Sequence, residues 1–406
     1  MHKPELLAPA GNFEKLKIAL HYGADAVYAS TPSFSMRTRE ISFTYKTLKS
    51  AIEYTHKLNK KIYITLNTYP HASEIKKWQT HARKIINLKP DALIVADIGL
   101  IKYIQSISSI PIHLSTQANT TNQLSAKFWF DQGIKRVVLA REMNLKDIKL
   151  ISKIKGLKIE SFVHGAMCMA YSGRCQISNY LIGRDPNKGE CIQPCRFKYK
   201  LYGVEEGMRK NEIFPVLENE SGTFLFNSKD LCMIENIADL IKAGISAFKI
   251  EGRMKSTYYV GSVVRLYREA IDLYCKNPEE FKNSITYFTS EMQKINNRGY
   301  TTGFYFNKPD QNTNNYETSK EVSTFGYVGI VESYDKINKI AKILVKNYLP
   351  VGSMLEILTP NKIVIHKLDK IKIGKKFVNV VHANSVIEIE TSENIPVNSL
   401  IRTQNL

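Results

Sequence analysis

The feature that most constrains the fold of this 406-residue chain is an alternation of short apolar runs with helical stretches over its first 165 residues. The runs are rich in β-branched residues and nearly all apolar, which is typical of parallel strands buried on both faces. Each unit takes roughly 20–35 residues, enough for one strand and its crossover helix. We predict strands at 5–10, 25–30, 61–67, 91–97, 112–117, 136–142 and 158–165, and, after a long interruption, at 246–252.

Eight such units that close on themselves predict an α/β fold, a TIM-type (β/α)8-like barrel. An open dinucleotide-binding sheet is less favoured, because the first glycine, in APAGNFEKL, lacks the GxGxxG pattern. The run at 222–228, GTFLFNS, is a ninth strand candidate, which we assign to the interruption or to an irregular closure. A long helix is expected from about Ser256 to Cys275.

The same pattern divides the chain into parts. We predict a barrel over 1–276 with a cysteine-rich insertion at about 166–225, and a connecting segment without clear periodicity over 277–324. Residues 325–406 alternate apolar and polar positions, which predicts a small C-terminal antiparallel β-barrel module. This module either binds RNA or serves only as a packing domain.

The formal net charge of +19 is compatible with a polyanionic partner such as RNA, and equally with a genome rich in lysine codons. The N-terminal MHKPELLAPAG lacks the apolar core of a signal peptide, and no run approaches the roughly 18–20 apolar residues of a membrane span. We therefore expect a cytoplasmic protein without a membrane partner, in which thiols stay reduced. No stable protein partner is evident.

Polar residues follow most of the predicted strands at their carboxyl ends. In a barrel these ends converge at one mouth, where enzymes of this fold place their chemistry. The alternative is that they only begin loops. The residues concerned are Asn67, Asp97, Gln117, Arg141, Glu142, His164, Glu251 and Arg253.

Four cysteines fall in the insertion, with the spacing Cys168-x6-Cys175-x15-Cys191-x3-Cys195. Two tight CxxC pairs of a zinc ribbon are absent, yet four thiolates suit zinc or an iron–sulfur centre. Cys232 is a rival for Cys195 as fourth ligand. Outside this group, Cys275 is expected to be a small buried hydrophobe.

His164 precedes Cys168 by four residues, so on a helix the two would share a face as a catalytic dyad. A cysteine peptidase is therefore an alternative function. Three further cysteines nearby are poor companions for a lone nucleophile, and neither GxSxG nor HExxH occurs. His164 is also a candidate acid or base for other chemistry, because an imidazole can titrate near neutrality.

Basic and aromatic side chains interleave around the cysteines, among them Arg174, Tyr180, Arg196 and Phe197. Cations for phosphates and aromatic faces for bases are what single-stranded RNA recognition requires. The same side chains could instead pack over a metal site.

Several stretches together resemble the peptidase U32 family. They are, by residue number, 160–180 (ESFVHGAMCMAYSGRCQISNY), 184–196 (RDPNKGECIQPCR), 6–28, 227–232 (NSKDLC), 249–256 (KIEGRMKS) and 297–305 (NRGYTTGFY). The form of the cysteine motif, with the C-terminal module, most resembles the tRNA hydroxylation branch of that family.

The resemblance implies O2-independent conversion of the wobble uridine of tRNA to 5-hydroxyuridine, with prephenate as hydroxyl source. It also implies a 4Fe–4S cluster held by Cys168, Cys175, Cys191 and Cys195. Sister branches hydroxylate ribosomal RNA or a quinone precursor, and members have been catalogued as peptidases or collagenases. From their places at the predicted strand ends we predict that His164, Glu251 and Arg253 are catalytic. We predict that the substrates are bound by Gln117, Arg141, Glu142, Arg174 and Arg196, with an arginine clamping the donor's carboxylates.

Overall fold

The fold is described from a computed structural model, with elements numbered in chain order. The residues described are 2–31, 33–35, 43–168, 170, 175, 177–186, 190–197, 218–219, 222–223, 227–307, 313–315, 318, 320–374 and 376–404.

Eight parallel strands form a closed barrel, as the sequence predicts. Neighbours in the chain pair in order, and the last strand lies between the seventh and the first, with Ala247 opposite both Glu160 and Glu5. The interior positions of these strands are buried. The strands are β1 (Glu5–Ala10), β2 (Ala26–Ser30), β3 (Lys61–Leu66), β4 (Ala92–Val95), β5 (Ile112–Leu114), β6 (Arg136–Val138), β7 (Lys158–Ala166) and β11 (Ala247–Ile250).

Helices follow the strands, and most begin at a side chain that caps the free amides of the first turn. Asn12, for example, accepts a hydrogen bond from the Lys15 amide at 2.9 Å. Ser256 caps the predicted long helix, which therefore begins where expected. The helices packed around the barrel are α1 (Phe13–His21), α2 (Tyr45–Lys57), α3 (Ile75–Ile86), α4 (Ile98–Ile107), α5 (Gln123–Asp131), α6 (Leu145–Ile151), α8 (Ile237–Lys242) and α9 (Thr257–Lys276).

Short elements of the insertion lie beside the barrel. Within it are α7 (Ile177–Ile182) and the paired strands β8 (Glu218–Asn219) and β9 (Gly222–Thr223). β10 (Asp230–Cys232) runs antiparallel to the end of β7, and β12 (Tyr300–Thr301) pairs with β10. In the described part of the run at 222–228, no residue joins the barrel as a ninth strand; residues 224–226 lie outside the described residues.

The connecting segment differs from the expectation of no periodicity. Asn277 caps α10 (Pro278–Asn283) and accepts from the Glu280 amide, and α11 (Ile285–Gln293) follows at once. Pro278 at the first helical position suits its fixed φ. These helices are too short for their apolar period to stand out in the sequence.

The C-terminal module is antiparallel, as predicted. Its larger sheet has the order β17-β16-β22-β13-β14-β21-β18-β19, and among the described residues no pairing joins β17 to β19. The strands are β13 (Phe325–Asp335), β14 (Ile340–Val345), β15 (Leu349–Pro350), β16 (Met354–Leu358), β17 (Ile363–Lys367), β18 (Ile371–Ile373), β19 (Lys376–Val378), β20 (Val380–Val381), β21 (Val386–Glu390) and β22 (Leu400–Gln404).

Buried polar contacts join the module to the barrel. The Tyr22 hydroxyl donates to the Leu358 carbonyl at 2.6 Å and accepts from the Leu400 amide at 2.9 Å. Arg402 is fully buried and donates to Glu291 at 2.5 Å and to Glu356 at 2.7 Å. Tyr22 thus joins the module to the barrel and Glu291 joins Arg402 to α11 of the connecting segment, whereas Glu356 lies within the module. A buried guanidinium is costly without its carboxylates, so these contacts hold the module in place.

At the amino-terminal end of the barrel, the interior carries a paired charge network. Arg136 donates to Glu5 at 2.7 Å and to Glu160 at 3.3 Å, and Lys249 donates to Glu160 at 2.6 Å. The Tyr63 hydroxyl donates to Glu5 at 3.0 Å. Among the helices of the described chain, none is long and apolar enough to cross a membrane.

Candidate active site at the barrel mouth

The predicted mouth residues partly come together in one cavity of about 50 Å³. Asn67, Gln117, Arg141, Glu251 and Arg253 line it, as expected from strand ends that converge. Other side chains complete the wall, namely Tyr28, Thr65, Ile94, Ser115, Thr116, Phe162 and Lys249.

Arg253 is positioned by neutral hydroxyl groups. Its Nη1 donates to Ser35 at 3.0 Å and to Thr65 at 3.1 Å, and the side chain is buried. These hydroxyl oxygens orient the guanidinium in the cavity wall, where its planar fork can bind a carboxylate.

Arg141 and Gln117 lie on the opposite part of the wall. The Arg141 guanidinium stacks over the Phe162 ring at 3.8 Å, and Gln117 accepts from the Asn67 amide at 2.9 Å. The Tyr69 hydroxyl donates to the Gln117 carbonyl at 2.7 Å. Both predicted binding residues thus line the cavity.

Glu251 follows β11 and lies where strand β7 ends. Its Oε2 accepts from the Tyr28 hydroxyl at 3.1 Å, and its backbone amide donates to the His164 carbonyl at 2.8 Å. Gly165 permits this approach, because a Cβ there would stand 2.6 Å from the Glu251 carbonyl oxygen and φ is +109°. The glycine after His164 therefore helps to position Glu251.

His164 differs from the expected titrating group. It lies in strand β7 with 1% of its surface exposed, and its ring contacts those of Tyr259, Tyr267 and Tyr300 at 5.6–5.8 Å. Burial, with a smaller effect from Lys255, lowers the pKa of His164 to about 3. The imidazole is neutral and a weak base at neutral pH. Because β7 is a strand, the four-residue spacing does not give the shared helical face of a dyad, and the peptidase alternative loses its support.

Three other predicted residues are placed apart from the mouth cavity or outside the described residues. Asp97 caps α4 by accepting from the Leu100 amide at 3.0 Å, so it has a structural role. Glu142 does not line the cavity; burial raises its pKa, and Oε2 has no hydrogen-bond partner among the described residues. Arg174 lies outside the described residues.

The four insertion cysteines influence one another electrostatically. Burial, and then the charges of Cys168, Cys191 and Cys175, raise the pKa of Cys195 to about 11, while Arg196 lowers it. Burial and the charges of Cys191 and Cys168 likewise raise the pKa of Cys175. Four thiolates that repel one another are a donor set that a soft, multiply charged centre compensates.

Hydrogen-bond donors surround this cysteine group. The Gln193 amide and the Ser178 hydroxyl donate to Cys191 Sγ at 3.4 and 3.8 Å. Arg196 donates to the Met167 carbonyl at 3.0 Å, and its Nη1 is buried without a partner among the described residues. Donors to the sulfurs are typical of cluster sites. The donor chemistry suits a cluster, whose presence stays a prediction, but among the described residues no three His, Cys, Asp or Glu side chains are grouped closely enough to hold a metal.

Cys232 has a different environment from the insertion cysteines. Burial raises its pKa to about 12, and the side chains that influence its charge are those of Tyr267, Glu235 and Asp230 rather than other thiols. Cys191 and Cys195 therefore keep their place in the predicted ligand set.

A second, larger cavity of about 840 Å³ lies between the barrel end, the insertion and the C-terminal module. Glu251 lines both cavities, and Gln193 of the insertion borders the larger one. Sequence reasoning missed this cavity, and it also missed Lys249 and Tyr28 in the mouth. A lysine inside the otherwise apolar run AFKI was the available signal for Lys249.

Two known family models match this chain. The sequence profile of Peptidase family U32 matches residues 11–315, and that of the Peptidase family U32 C-terminal domain matches residues 323–402. The first match covers the barrel with its cysteine-bearing insertion, and the second covers the antiparallel module. The chain belongs to peptidase family U32.

Curated relatives are similar to this chain over most of its length. The tRNA hydroxylation protein P of Helicobacter pylori is 44% identical over 330 residues, which cover 79% of this chain and 76% of the relative. The protein of that name from Escherichia coli is 37% identical over 399 residues, covering 89% and 87%. A 23S rRNA 5-hydroxycytidine synthase of Escherichia coli is 35% identical over 308 residues, covering 75% of this chain and 45% of the relative.

Proposed function

We propose that this protein hydroxylates RNA, and specifically that it converts the wobble uridine of tRNA to 5-hydroxyuridine without molecular oxygen. The observation that carries the proposal is the similarity, over most of the chain, to relatives named for tRNA hydroxylation. The ribosomal RNA relative supports the wider class of RNA hydroxylation.

Cys168, Cys175, Cys191 and Cys195 would hold a 4Fe–4S cluster. Support comes from their mutual charge effects and from the amide and hydroxyl donors at Cys191. When bound, the cluster would supply electron transfer or Lewis-acid chemistry to the hydroxylation.

The mouth residues would bind the hydroxyl donor and the base. Prephenate, the donor that the family resemblance implies, carries two carboxylates, and Arg141 and Arg253 line one cavity. A cavity of about 50 Å³ is smaller than such a donor, so these side chains must move to admit it. Glu251, which accepts from Tyr28, is positioned to take the proton that leaves C5.

The insertion offers an RNA-binding surface next to the cysteines. Tyr180 is 88% exposed and Phe197 is 44% exposed, and Arg184 lies between them in the chain. Exposed rings stack on unpaired bases, and a loop uridine is already partly unstacked, which lowers the cost of extracting it.

The proposal is tested by mass spectrometry of tRNA nucleosides from a strain that lacks this gene and any parallel pathway. We expect 5-hydroxyuridine and its derivatives to disappear and to return with the wild-type gene. Persistence of the modified nucleosides in the deletion strain would contradict the tRNA assignment. Growth without prephenate synthesis should abolish the modification if prephenate is the donor.

Cysteine variants test the cluster separately. We expect anaerobically purified protein to be brown and to contain iron and sulfide, and Cys168→Ser to lose both. Cys275→Ser, at a half-buried helical thiol outside the group, is the matched control and should keep both. Stoichiometric zinc with no visible chromophore would contradict the cluster, and loss of iron in Cys232→Ser but not in Cys195→Ser would reassign the fourth ligand.

A further inference from the structure

The larger cavity is formed by both domains and lies directly beside the mouth. Met254 and Lys255 contribute from the barrel end, Arg298 from the connecting segment, and Tyr327 and Lys346 from the C-terminal module. Its volume of about 840 Å³ is in the range of sites that enclose a ligand of nucleotide size or larger.

The chemistry of its walls suits a nucleotide. Lys346 and Asn347 are exposed at the lip, and Met254 is 50% exposed. Tyr327 stacks on Tyr258 across the domain boundary, with ring centroids 5.3 Å apart and an interplanar angle of 15°. A cation for phosphate, an amide for a base edge and apolar surface for a base face are combined in one place.

A buried hydroxyl in this wall has no partner within the described residues. The Tyr327 Oη is buried and makes no hydrogen bond to any of them. A hydroxyl left unsatisfied in a folded protein is costly, and a ligand atom that bonds to it recovers that cost.

The two cavities share one wall. Glu251 lines both, and the Tyr259 hydroxyl, which borders the larger cavity, donates to the Glu251 carbonyl at 3.1 Å. A strand of RNA whose uridine enters the mouth would therefore place an adjoining nucleotide at the larger cavity.

We propose that this interdomain cavity binds a nucleotide next to the modified uridine, and that the C-terminal module thereby takes part in selecting the RNA. The inference rests on the proposed function. Lys346 contacts a phosphate of that nucleotide, and Tyr327 donates a hydrogen bond to it.

The test measures binding of a fluorescent anticodon stem-loop RNA to the full-length holoprotein at several salt concentrations. We expect Lys346→Glu to raise Kd about five- to tenfold and to reduce the salt slope by about one. Lys336→Glu is the matched control. Lys336 is exposed in the turn between β13 and β14, at the opposite end of β14 from Lys346, so its replacement should change Kd by less than about twofold. Equal effects of the two variants would overturn the inference.

Tyr327→Phe keeps the ring stack and removes only the hydroxyl, so it should raise Kd without lowering the melting temperature. An RNA with an abasic nucleotide beside the uridine should bind the wild type more weakly. Unchanged Kd values in both experiments would also overturn the inference.

Nucleoside analysis in the deletion strain separates this inference from the proposed function. If the wild-type gene restores 5-hydroxyuridine but Lys346→Glu does so equally at low expression and binds RNA normally, the inference fails and the function stands. If the wild-type gene restores nothing, the proposed function itself fails.

Discussion

The two ends of the barrel use buried charges differently. Toward the amino-terminal end, Arg136 donates to Glu5 and Glu160, and Lys249, whose side chain also lines the mouth cavity, donates to Glu160. At the mouth, Arg253 donates to two hydroxyls and lines a cavity. The first arrangement pairs cations with carboxylates of the protein, whereas the second places a guanidinium in the wall of a cavity that a ligand can enter. The comparison separates buried charges that support folding from those that support binding.

The largest effect is expected where the paired network is broken. Glu160→Gln keeps the shape of the side chain but leaves Arg136 and Lys249 with one carboxylate fewer. We expect the free energy of unfolding to fall by about 3–5 kcal/mol, as for other buried pairs that lose one partner. Urea denaturation measures this, and Glu332→Gln, at an exposed position, should change it by less than about 0.5 kcal/mol. A loss no greater than in that control would mean that the network does not stabilise the fold.

At the mouth the expected loss is in activity. Arg253→Lys removes the planar fork that binds a carboxylate, and we expect hydroxylation to fall about 100-fold, or about 2.7 kcal/mol of transition-state stabilisation. The free energy of unfolding should change little. Arg83→Lys, at an exposed site on α3, is the control. Equal hydroxylation by both variants would break the distinction between the two ends.

A buried histidine, His81, gives the stability of the fold a pH dependence. Its Nε2 lies 2.7 Å from the Thr31 hydroxyl and its Nδ1 lies 2.5 Å from that of Tyr45. Burial, and to a smaller extent the Lys84 charge, lowers the pKa of His81 to about 4.

Because that pKa lies below the unfolded value, the unfolded chain takes up the proton first on acidification. The stability contribution is complete above about pH 6.5 and is lost between that pH and about 4. We expect His81 to account for about 2 kcal/mol of lost stability between pH 7 and pH 5. Denaturation curves at both pH values should show a smaller difference for His81→Gln; an unchanged difference would contradict the assignment.

The smallest effect is expected at Tyr28, which bonds the mouth carboxylate. Tyr28→Phe removes one hydrogen bond to Glu251, and the free energy of unfolding should fall by about 1 kcal/mol. Tyr180→Phe, at a hydroxyl on an 88% exposed residue, is the control and should be neutral. Thermal denaturation suffices for this comparison, and equal melting temperatures for the two variants would remove Tyr28 from the mouth network.

The barrel could be predicted from the sequence because its strands are short, mostly apolar runs and most of its helices carry their own period and cap. Strand ends also placed Arg141, Gln117, Glu251 and Arg253 in one cavity, since parallel strands converge whatever their side chains do. Local sequence was enough for these features.

The surroundings of His164 could not be read in the same way. Tyr259, Tyr267 and Tyr300 lie about 95–136 positions further along the chain, so the burial that lowers the histidine pKa depends on tertiary packing. Lys249 and Glu160 are likewise 89 positions apart and meet only through strand register. The interdomain cavity depends on how two separately predicted parts pack together.

Tyr22 and Arg402 have a mechanical consequence. Moving the two domains apart would break the hydrogen bond of Tyr22 and the ion pair of Arg402. The contacts of the folded state therefore fix the width of the gap between the domains. Adaptation on binding then falls to the RNA, whose unpaired bases can swing out at modest cost. On the proposed function, we therefore expect an unpaired RNA loop to bind more tightly than a duplex of the same sequence.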